Sequence, residues 1–397
     1  MQRPMRILYV YYGTYGIAGA YIHQLAKAFS TLTCQVYMAV SAYYEFATLY
    51  SNVALLKCFF PVTELVPENP YLRFAFLRRL RKPIRYVEQF ISYMKLLVFV
   101  LVMRIDVVNL SLIDDRIATF LFFVGLKLLR VKTIVTAHDI QPFGKPALPI
   151  MRRFIFSLAN KVLVHNEQSH EQLAKTFGIR LSNVQIHVFP LSDYGSILDL
   201  KKYDHYLNEI NTRLNRYTRV FLFIGTIRQE KGLDILIDQW IKHMGYCSES
   251  VLVIAGYPAI DVSDMHLRSA QCANILWDLR RLDDEEFVAY MDASHVIVTP
   301  YRDYAHSSIY LAAYLHSRRC VIASDNALFK TFIDDTNGFM FCLDDVESLG
   351  ATLRQVRNLS ALELQQRADN GRQRLLQTLE LLSKQLGELY QVPFRVA

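Results

Sequence analysis

The chain has little paired cysteine and no long uninterrupted apolar run. Its six cysteines, Cys34, Cys58, Cys247, Cys272, Cys320 and Cys342, are scattered, with no Cys-x2-Cys and no Cys/His metal-ligand spacing. This excludes a zinc ribbon or a dense disulfide framework and points to buried thiols in a reducing compartment. The two most apolar stretches are 90–103, interrupted by Lys95 and bounded by Arg104, and 117–129, interrupted by Lys127. Both fall short of the roughly 20 residues needed to cross a bilayer, so they are expected to be buried helices. No leader segment is expected, because Met-Gln-Arg-Pro-Met-Arg runs directly into a strand pattern. No acidic pair suited to a metal is evident, and no short-period repeat is visible. The net charge of +7 is modest and accompanies no recognition motif, which argues against nucleic acid as a partner.

Apolar residues make up 52% of the chain and charged residues 20%, which suits large cores and argues against disorder. A length of 397 residues implies two domains. Strands and helices alternate almost throughout. In the first half, strands are expected at 6–12, 34–40, 107–110, 133–137, 161–165 and 184–189, with helices near 20–30, 86–104, 117–129 and 169–177. The region between 41 and 85 reads as less regular, and 191–219 as a polar junction. A second series begins at Arg219, with strands near 220–224, 251–255, 275–276, 296–299, 321–323 and 339–341. Helices intervene between them, and a long helical pattern follows at 361–390. Repeated βα units with apolar strands indicate parallel sheets covered on both faces. The expected fold class is α/β, with two Rossmann-like domains facing a central cleft. Residues 1–195 would form the first domain and 196–375 the second, and 376–397 would be a helix returning to the first. Ligands would sit at the carboxyl ends of the strands.

Residues 220–237 hold the clearest chemical signal. Val220 to Ile224 is an apolar strand, the chain turns at Gly225, and Leu233, Leu236, Ile237 and Trp240 then form one helical stripe. Arg228, Lys231 and Gly232 lie between. Backbone N–H groups at a helix start, close approach at glycine and side-chain cations are the components of an anion site. An ordinary strand-to-helix turn with solvated cations would use the same residues. His138 stands at the end of another apolar strand, where either a cleft residue or a capping histidine belongs. Gly13, Gly16 and Gly19 are spaced GxxGxxG, without the acidic residue of a dinucleotide fingerprint, so a plain flexible loop is the alternative. A basic run, Arg73, Arg78, Arg79, Arg81, Lys82 and Arg85, is interleaved with Phe74, Phe76, Leu77 and Leu80. It fits docking on anionic lipid headgroups, or a solvated helix face.

In order and spacing these segments resemble family 4 glycosyltransferases of the GT-B type. The resemblance is spread over most of the chain. Gly225 to Gly232 looks like the family's Gly-Arg-x4-Lys-Gly turn, although Thr226 stands where the family has Arg. Residues 7–26 look like the first strand, Gly-rich loop and helix of the acceptor-side domain. Thr133-Ile-Val-Thr-Ala-His-Asp139 looks like the strand ending in His-Asp or His-Glu, and Val162-Leu-Val-His-Asn-Glu167 like the next. Val251-Leu-Val-Ile-Ala-Gly256 looks like the strand beside the base pocket, and 284–301 like the helix-strand-Pro-Tyr run.

The resemblance implies a retaining transfer of a hexose from a UDP- or GDP-sugar to a hydroxyl acceptor, a saccharide or a lipid-linked saccharide. It implies no cofactor and no metal. Lys231 and Arg228 would hold the diphosphate and His138 would touch the transferred sugar. Gly13, Gly16, Gly225, Thr226, Gly256, Tyr301, Ser307, Ser308 and Ile309 would line the donor site. Arg78, Arg79 and Arg81 would face the acceptor or a membrane, with the protein cytoplasmic or peripheral on the inner membrane face. The family's two glutamates eight positions apart fall here at Ala305 and Ala313, and Arg318 stands where the family usually has Gly. Ser307-Ser308 looks closest to a branch with Pro-Tyr-Arg followed by Ser-Gly. The missing carboxylates leave open a nucleotide-sugar-binding or partner-stabilising pseudoenzyme, and a two-domain epimerase is a third reading.

Overall fold

A computed structural model of the chain describes residues 3–13, 18–44, 50–64, 69–111, 116–138, 140, 150–189, 198–302 and 309–395. The chain divides into two compact units. One is Met1–Leu191 with Leu379–Ala397, and the other is Ser192–Thr378.

The first unit holds a parallel sheet of seven strands: β1 (Met5–Val10), β2 (Cys34–Ser41), β3 (Val53–Phe59), β4 (Val107–Ser111), β5 (Lys132–Thr136), β6 (Lys161–Val164) and β7 (Val184–Ile186). Their order is β3-β2-β1-β4-β5-β6-β7, so the winding reverses between β1 and β4. Its helices are α1 (Ala18–Ser30), α2 (Ala75–Arg79), α3 (Arg81–Val102), α4 (Ile117–Leu128), α5 (Ile150–Leu158) and α6 (Glu167–Phe177). Side chains alternate across each strand. Leu8, Val10, Val108 and Leu110 therefore enter one core, and Ile7, Tyr9, Val36 and Met38 enter the other. The start of α6 is fixed by Asn166, whose side chain accepts from the Ser169 N–H, and its end by Gly178 in the left-handed conformation.

The second unit begins with α7 (Leu200–Leu214). Its parallel sheet contains β8 (Arg219–Ile224), β9 (Ser250–Ala255), β10 (Ile275–Asp278), β11 (Val296–Thr299), β12 (Cys320–Ser324) and β13 (Phe339–Phe341), in the order β10-β9-β8-β11-β12-β13. The helices are α8 (Leu233–Met244), α9 (Ser263–Ser269), α10 (Asp284–Ala293), α11 (Ile309–Ala312), α12 (Ala327–Lys330), α13 (Glu347–Asn358) and α14 (Ala361–Tyr390); α11 continues as a π-helical turn over Ala313–Ser317. Strands β8 and β9 are buried along their whole length, which explains the apolar runs 220–224 and 251–255 that follow Arg219 and Ser250. The last part of α14 belongs to the first unit. There Leu382, Leu386 and Tyr390 enter the core beside Ile7 and Phe29, and Asn109 Nδ2 donates to Tyr390 Oη at 3.0 Å.

Three segments depart from the sequence expectation. The irregular region at 41–85 contains β3, an edge strand with only its two end residues buried. The polar junction at 191–219 contains α7, a 15-residue helix capped by Asp199. Only Ile210 and Leu214 of α7 are buried, so its apolar signal is diluted; polar bonds such as Tyr203 Oη to Asp292 Oδ2 at 2.7 Å do much of the docking onto α10. The stretch 90–103, expected to be a buried helix, forms the second half of α3 but leaves Phe90, Ile91, Val98, Leu101 and Val102 exposed. Among the described residues no helix is long and apolar enough to cross a membrane.

Candidate functional site

In the second unit, β8 delivers the chain to Gly225, whose φ of 107° belongs to the region that favours glycine. Neighbouring β9 ends at Gly256, with φ 142°. The two strand ends pack backbone to backbone: a β-carbon on Gly256 would collide with the carbonyl oxygen of Gly225. Beyond Gly225 the chain pairs with the segment after β9, Ile227 N donating to Tyr257 O at 2.8 Å and Ala259 N to Ile227 O at 2.9 Å. It then makes a short 3-10 turn, Gln229–Lys231, closed by Gly232 at φ 64°, before α8 begins.

That turn aims Lys231 back at the strand end. Nζ lies 3.4 Å from where a β-carbon of Gly225 would be, and 5.3 Å from the centroid of the buried Tyr301 ring. Among the described residues Nζ makes no hydrogen bond or ion pair. Burial, with the charge of Arg228 acting in the same direction and Glu230 opposing, pushes the ammonium down from 10.5 to about 8. A cation with no carboxylate partner among the described residues, beside bare glycine backbone, is suited to receive an anion. Arg228 is half-exposed on the same turn, with Glu230 Oε1 at 3.8 Å.

A clamp that sequence reasoning missed holds this turn. Arg302, just after β11, donates to both oxygens of Asp234 at 2.7 and 2.5 Å, and to Gln229 O at 3.2 Å. Its own N–H donates to Glu230 O at 2.8 Å. Asp234 is half-buried, which raises its carboxyl, but Arg302 and the N–H groups of Asp234 and Ile235 outweigh that and hold it below the usual range. The carboxylate of Asp234 thus lies at the start of α8, engaged by Arg302. The signal was the Pro-Tyr-Arg run itself, whose arginine finds its partner 68 residues away. Thr226 is half-buried beside Gly225, and Ile309, buried at the start of α11, reaches within 3.3 Å of the Gly225 β-position. Ser307, Ser308 and Ala305 lie outside the described residues; Ala313 is fully buried in the π-helical turn.

In the first unit, His138 follows β5 and is half-buried. Its Nε2 shares a hydrogen bond of 2.7 Å with Ser111 Oγ at the end of β4. The rings of Tyr11, Tyr21, His165 and Phe189 surround it, with centroids 5.0 to 6.1 Å away. Four of the strand ends of this sheet thus contribute to one aromatic nest, which no local motif announces. Gly13 lies close to the Tyr11 ring, and Gly16 is outside the described residues. Arg78 and Arg79 are exposed on α2, and Arg81 is half-buried at the start of α3.

Comparison with known proteins bears on the family and the fold. Residues 18–190 match the family described as Glycosyltransferase Family 4, and residues 218–358 match Glycosyl transferases group 1. No curated protein matches the chain by sequence. Among solved structures, the sucrose-phosphate synthase (tll1590) of Thermosynechococcus elongatus is 16% identical, with a TM-score of 0.66 and 98% of each chain covered. Anabaena Alr3699/HepE in complex with UDP-glucose is 13% identical, with a TM-score of 0.66, 98% of this chain and 99% of that one covered. A glycosyltransferase from Rickettsia africae ESF-5 is 12% identical, with a TM-score of 0.66 and 98% of each chain covered. Two parallel α/β units, the Lys231 turn in the second and two family matches that together span most of the sequence lead to one assignment: the chain belongs to the family 4-like, group 1 glycosyltransferases of GT-B fold.

Proposed function

We propose that the chain transfers a hexose from a UDP- or GDP-sugar to a hydroxyl of a saccharide or lipid-linked saccharide, with retention, in surface glycan or lipid-linked saccharide synthesis. The observation that carries this reading is the desolvated Lys231 ammonium beside Gly225, with no carboxylate partner among the described residues. As the glycosidic bond breaks, the sugar gains oxocarbenium character and the diphosphate gains negative charge. Lys231 and Arg228 supply fixed positive charge where that develops, and they act without reorganisation. His138, oriented by Ser111, would donate to or accept from a sugar hydroxyl. With retention, the leaving phosphate would accept the acceptor proton. In this reading the two cations do the work often given to a metal ion, and no cofactor takes part. Relatives of this fold have been solved with UDP and with UDP-glucose, which supports a nucleotide-sugar donor.

The test is direct. Purified protein with UDP- or GDP-hexose and a set of saccharide and polyprenyl-linked acceptors should yield a product with the donor's anomeric configuration, and chelator should leave the rate unchanged. UDP or GDP should raise the melting temperature by mass action. Absence of any nucleotide effect would remove the reading. A second reading rests on Ala313, fully buried where the resemblance implies a carboxylate: nucleotide binding without transfer. It is favoured if UDP stabilises the protein and no acceptor yields product. Peripheral contact with an anionic membrane, at Arg78, Arg79 and Arg81, belongs to the first reading, as does a place at the inner membrane face.

A further inference from the structure

Helix α3 is apolar on two sides, one in the core and one in solvent. Its buried side carries Glu88, Gln89 and Ser92 beside Tyr93, Leu96 and Val100. Its solvent side carries Val87, Phe90, Ile91, Val98 and Leu101, with the half-buried Met94 between them and the exposed Lys95 beside it, an apolar stripe along the helix. Val98 is 60% exposed, Leu101 57% and Val102 72%. The inward polar groups are satisfied, which makes this orientation stable: Glu88 accepts from Val62 N at 2.6 Å and from Thr63 Oγ1, Ser92 Oγ donates to Cys58 O at 2.7 Å, and Arg116 donates to Gln89 Oε1 at 2.7 Å. The apolar face therefore points outward by construction. Just before α3, the segment Pro70–Arg79 buries no side chain, and Phe74 and Phe76 are 60% and 67% exposed. Next to α3, α4 and α5 add exposed Leu121 and Phe154.

We propose that this face, the outer stripe of α3 with the aromatic-cationic segment before it, docks the protein on an anionic phospholipid bilayer. Charge selects that occupant. Of the nine Lys and Arg on helices α2 to α5, Arg152 is buried and Arg85 pairs with Glu64, but Arg78, Arg79, Lys82, Lys95 and Arg153 are exposed, and the one acidic residue of these helices is the buried Glu88. A second copy of the same face would set cations against cations, and like charges across an interface oppose association. A bilayer of anionic lipid supplies both what the stripe lacks, an apolar phase, and what its rim lacks, negative charge. The inference shifts the contact from the arginines alone, named above, to an apolar surface rimmed by them. It rests on the proposed function only in suggesting that the acceptor is lipid-linked; docking itself requires no transfer.

The experiment is co-sedimentation of the whole chain with vesicles of phosphatidylcholine containing about 30% phosphatidylglycerol, against phosphatidylcholine alone. The protein should pellet with the anionic vesicles at low salt and be largely released at about 0.5 M NaCl. The double substitution Val98→Gln and Leu101→Gln, on exposed positions, should lower the partition coefficient about tenfold while leaving melting and the UDP-induced shift unchanged. Arg78→Glu with Arg79→Glu should lower it as well and flatten the salt dependence. Protein that stays in the supernatant at low salt overturns the proposal. So does equal binding to neutral vesicles, or a dimer in sedimentation velocity that Val98→Gln/Leu101→Gln dissolves. A protein that pellets but shows no UDP shift would sink the donor-site reading and leave this one standing.

Discussion

Lys231 places its ammonium 5.3 Å from the centroid of the Tyr301 ring, and Tyr301 is the residue before the arginine that clamps the Lys231 turn. The segment Pro300–Arg302 thus does two things to one lysine. Its ring offers the cation a face in place of water. Its guanidinium fixes the backbone from which the lysine extends. The positive charge is held in place and poorly solvated before any ligand arrives.

Lys231→Ala should lower turnover about 10²–10³-fold, the usual cost of losing one preorganised electrostatic contact. Folding should not suffer. The desolvated ammonium opposes folding while it is charged, so Lys231→Met should raise stability at pH 7 by on the order of 1–3 kcal/mol. Transfer assays and thermal melts on the same preparations check both. Normal turnover would remove Lys231 from the site.

The pH dependence has a defined sign. The folded protein releases the Lys231 proton near pH 8, whereas the unfolded chain holds it to about the usual 10.5. Between those values the unfolded state binds more protons, so this group's contribution to stability rises with pH across the window, and its penalty is fully present below pH 8. A bound diphosphate favours the charged form. UDP binding near pH 9 should therefore take up protons, and its affinity should fall as pH rises above 8. Calorimetry in buffers of different ionisation enthalpy measures that uptake.

Gly256→Ala should lower stability by about 2 kcal/mol or more and weaken UDP binding. The new methyl would collide with the Gly225 carbonyl, at a φ that side chains rarely adopt. Gly178→Ala is the control. That residue also has positive φ, but no atom lies within 4 Å of its β-position, so only the backbone strain should appear, with UDP affinity intact.

Arg302→Lys should raise the donor KM roughly tenfold and fail to restore the parent pH profile, because a lysine cannot make the two-pronged bond to Asp234 while also holding Gln229 O. Asp234→Asn should act in the same direction. A merely structural clamp would change melting alone; a shift in the pH dependence of UDP affinity marks its effect on Lys231.

Arg318→Gly should stabilise the protein by about 1 kcal/mol. Arg318 adopts φ 48° at the end of the π-helical turn, a conformation that costs a side-chain-bearing residue energy that glycine avoids. Thermal melts check it.

Much of the fold was legible because parallel strands buried on both faces must be apolar along their whole length. Runs such as Val220–Ile224 and Val251–Ala255 therefore announce themselves, as does the return of helical periodicity after Gly225. The Lys231 turn was legible because its glycines and cations are contiguous. β3 and α7 were not, because an edge strand and a helix with two core residues carry weak periodicity. The clamp was not legible either, since Arg302 and Asp234 are partners only once β8 and β11 lie side by side.

The sequence by itself determined the class: two βα series, a cationic loop with glycines, and the family they resemble. These are local properties, set by burial pattern and by the backbone freedom of a few residues. Only the tertiary structure decided the state of those residues. It left Lys231 without an acid among the described residues, gave Asp234 to Arg302, and gathered Tyr11, Tyr21, His165 and Phe189 around His138. It also left one apolar side of α3 outward, because Glu88, Gln89 and Ser92 found hydrogen-bond partners within the fold beside Tyr93, Leu96 and Val100. Hydropathy counts how apolar a helix is; which side faces in depends on partners distant in sequence, and those exist only after the chain has folded.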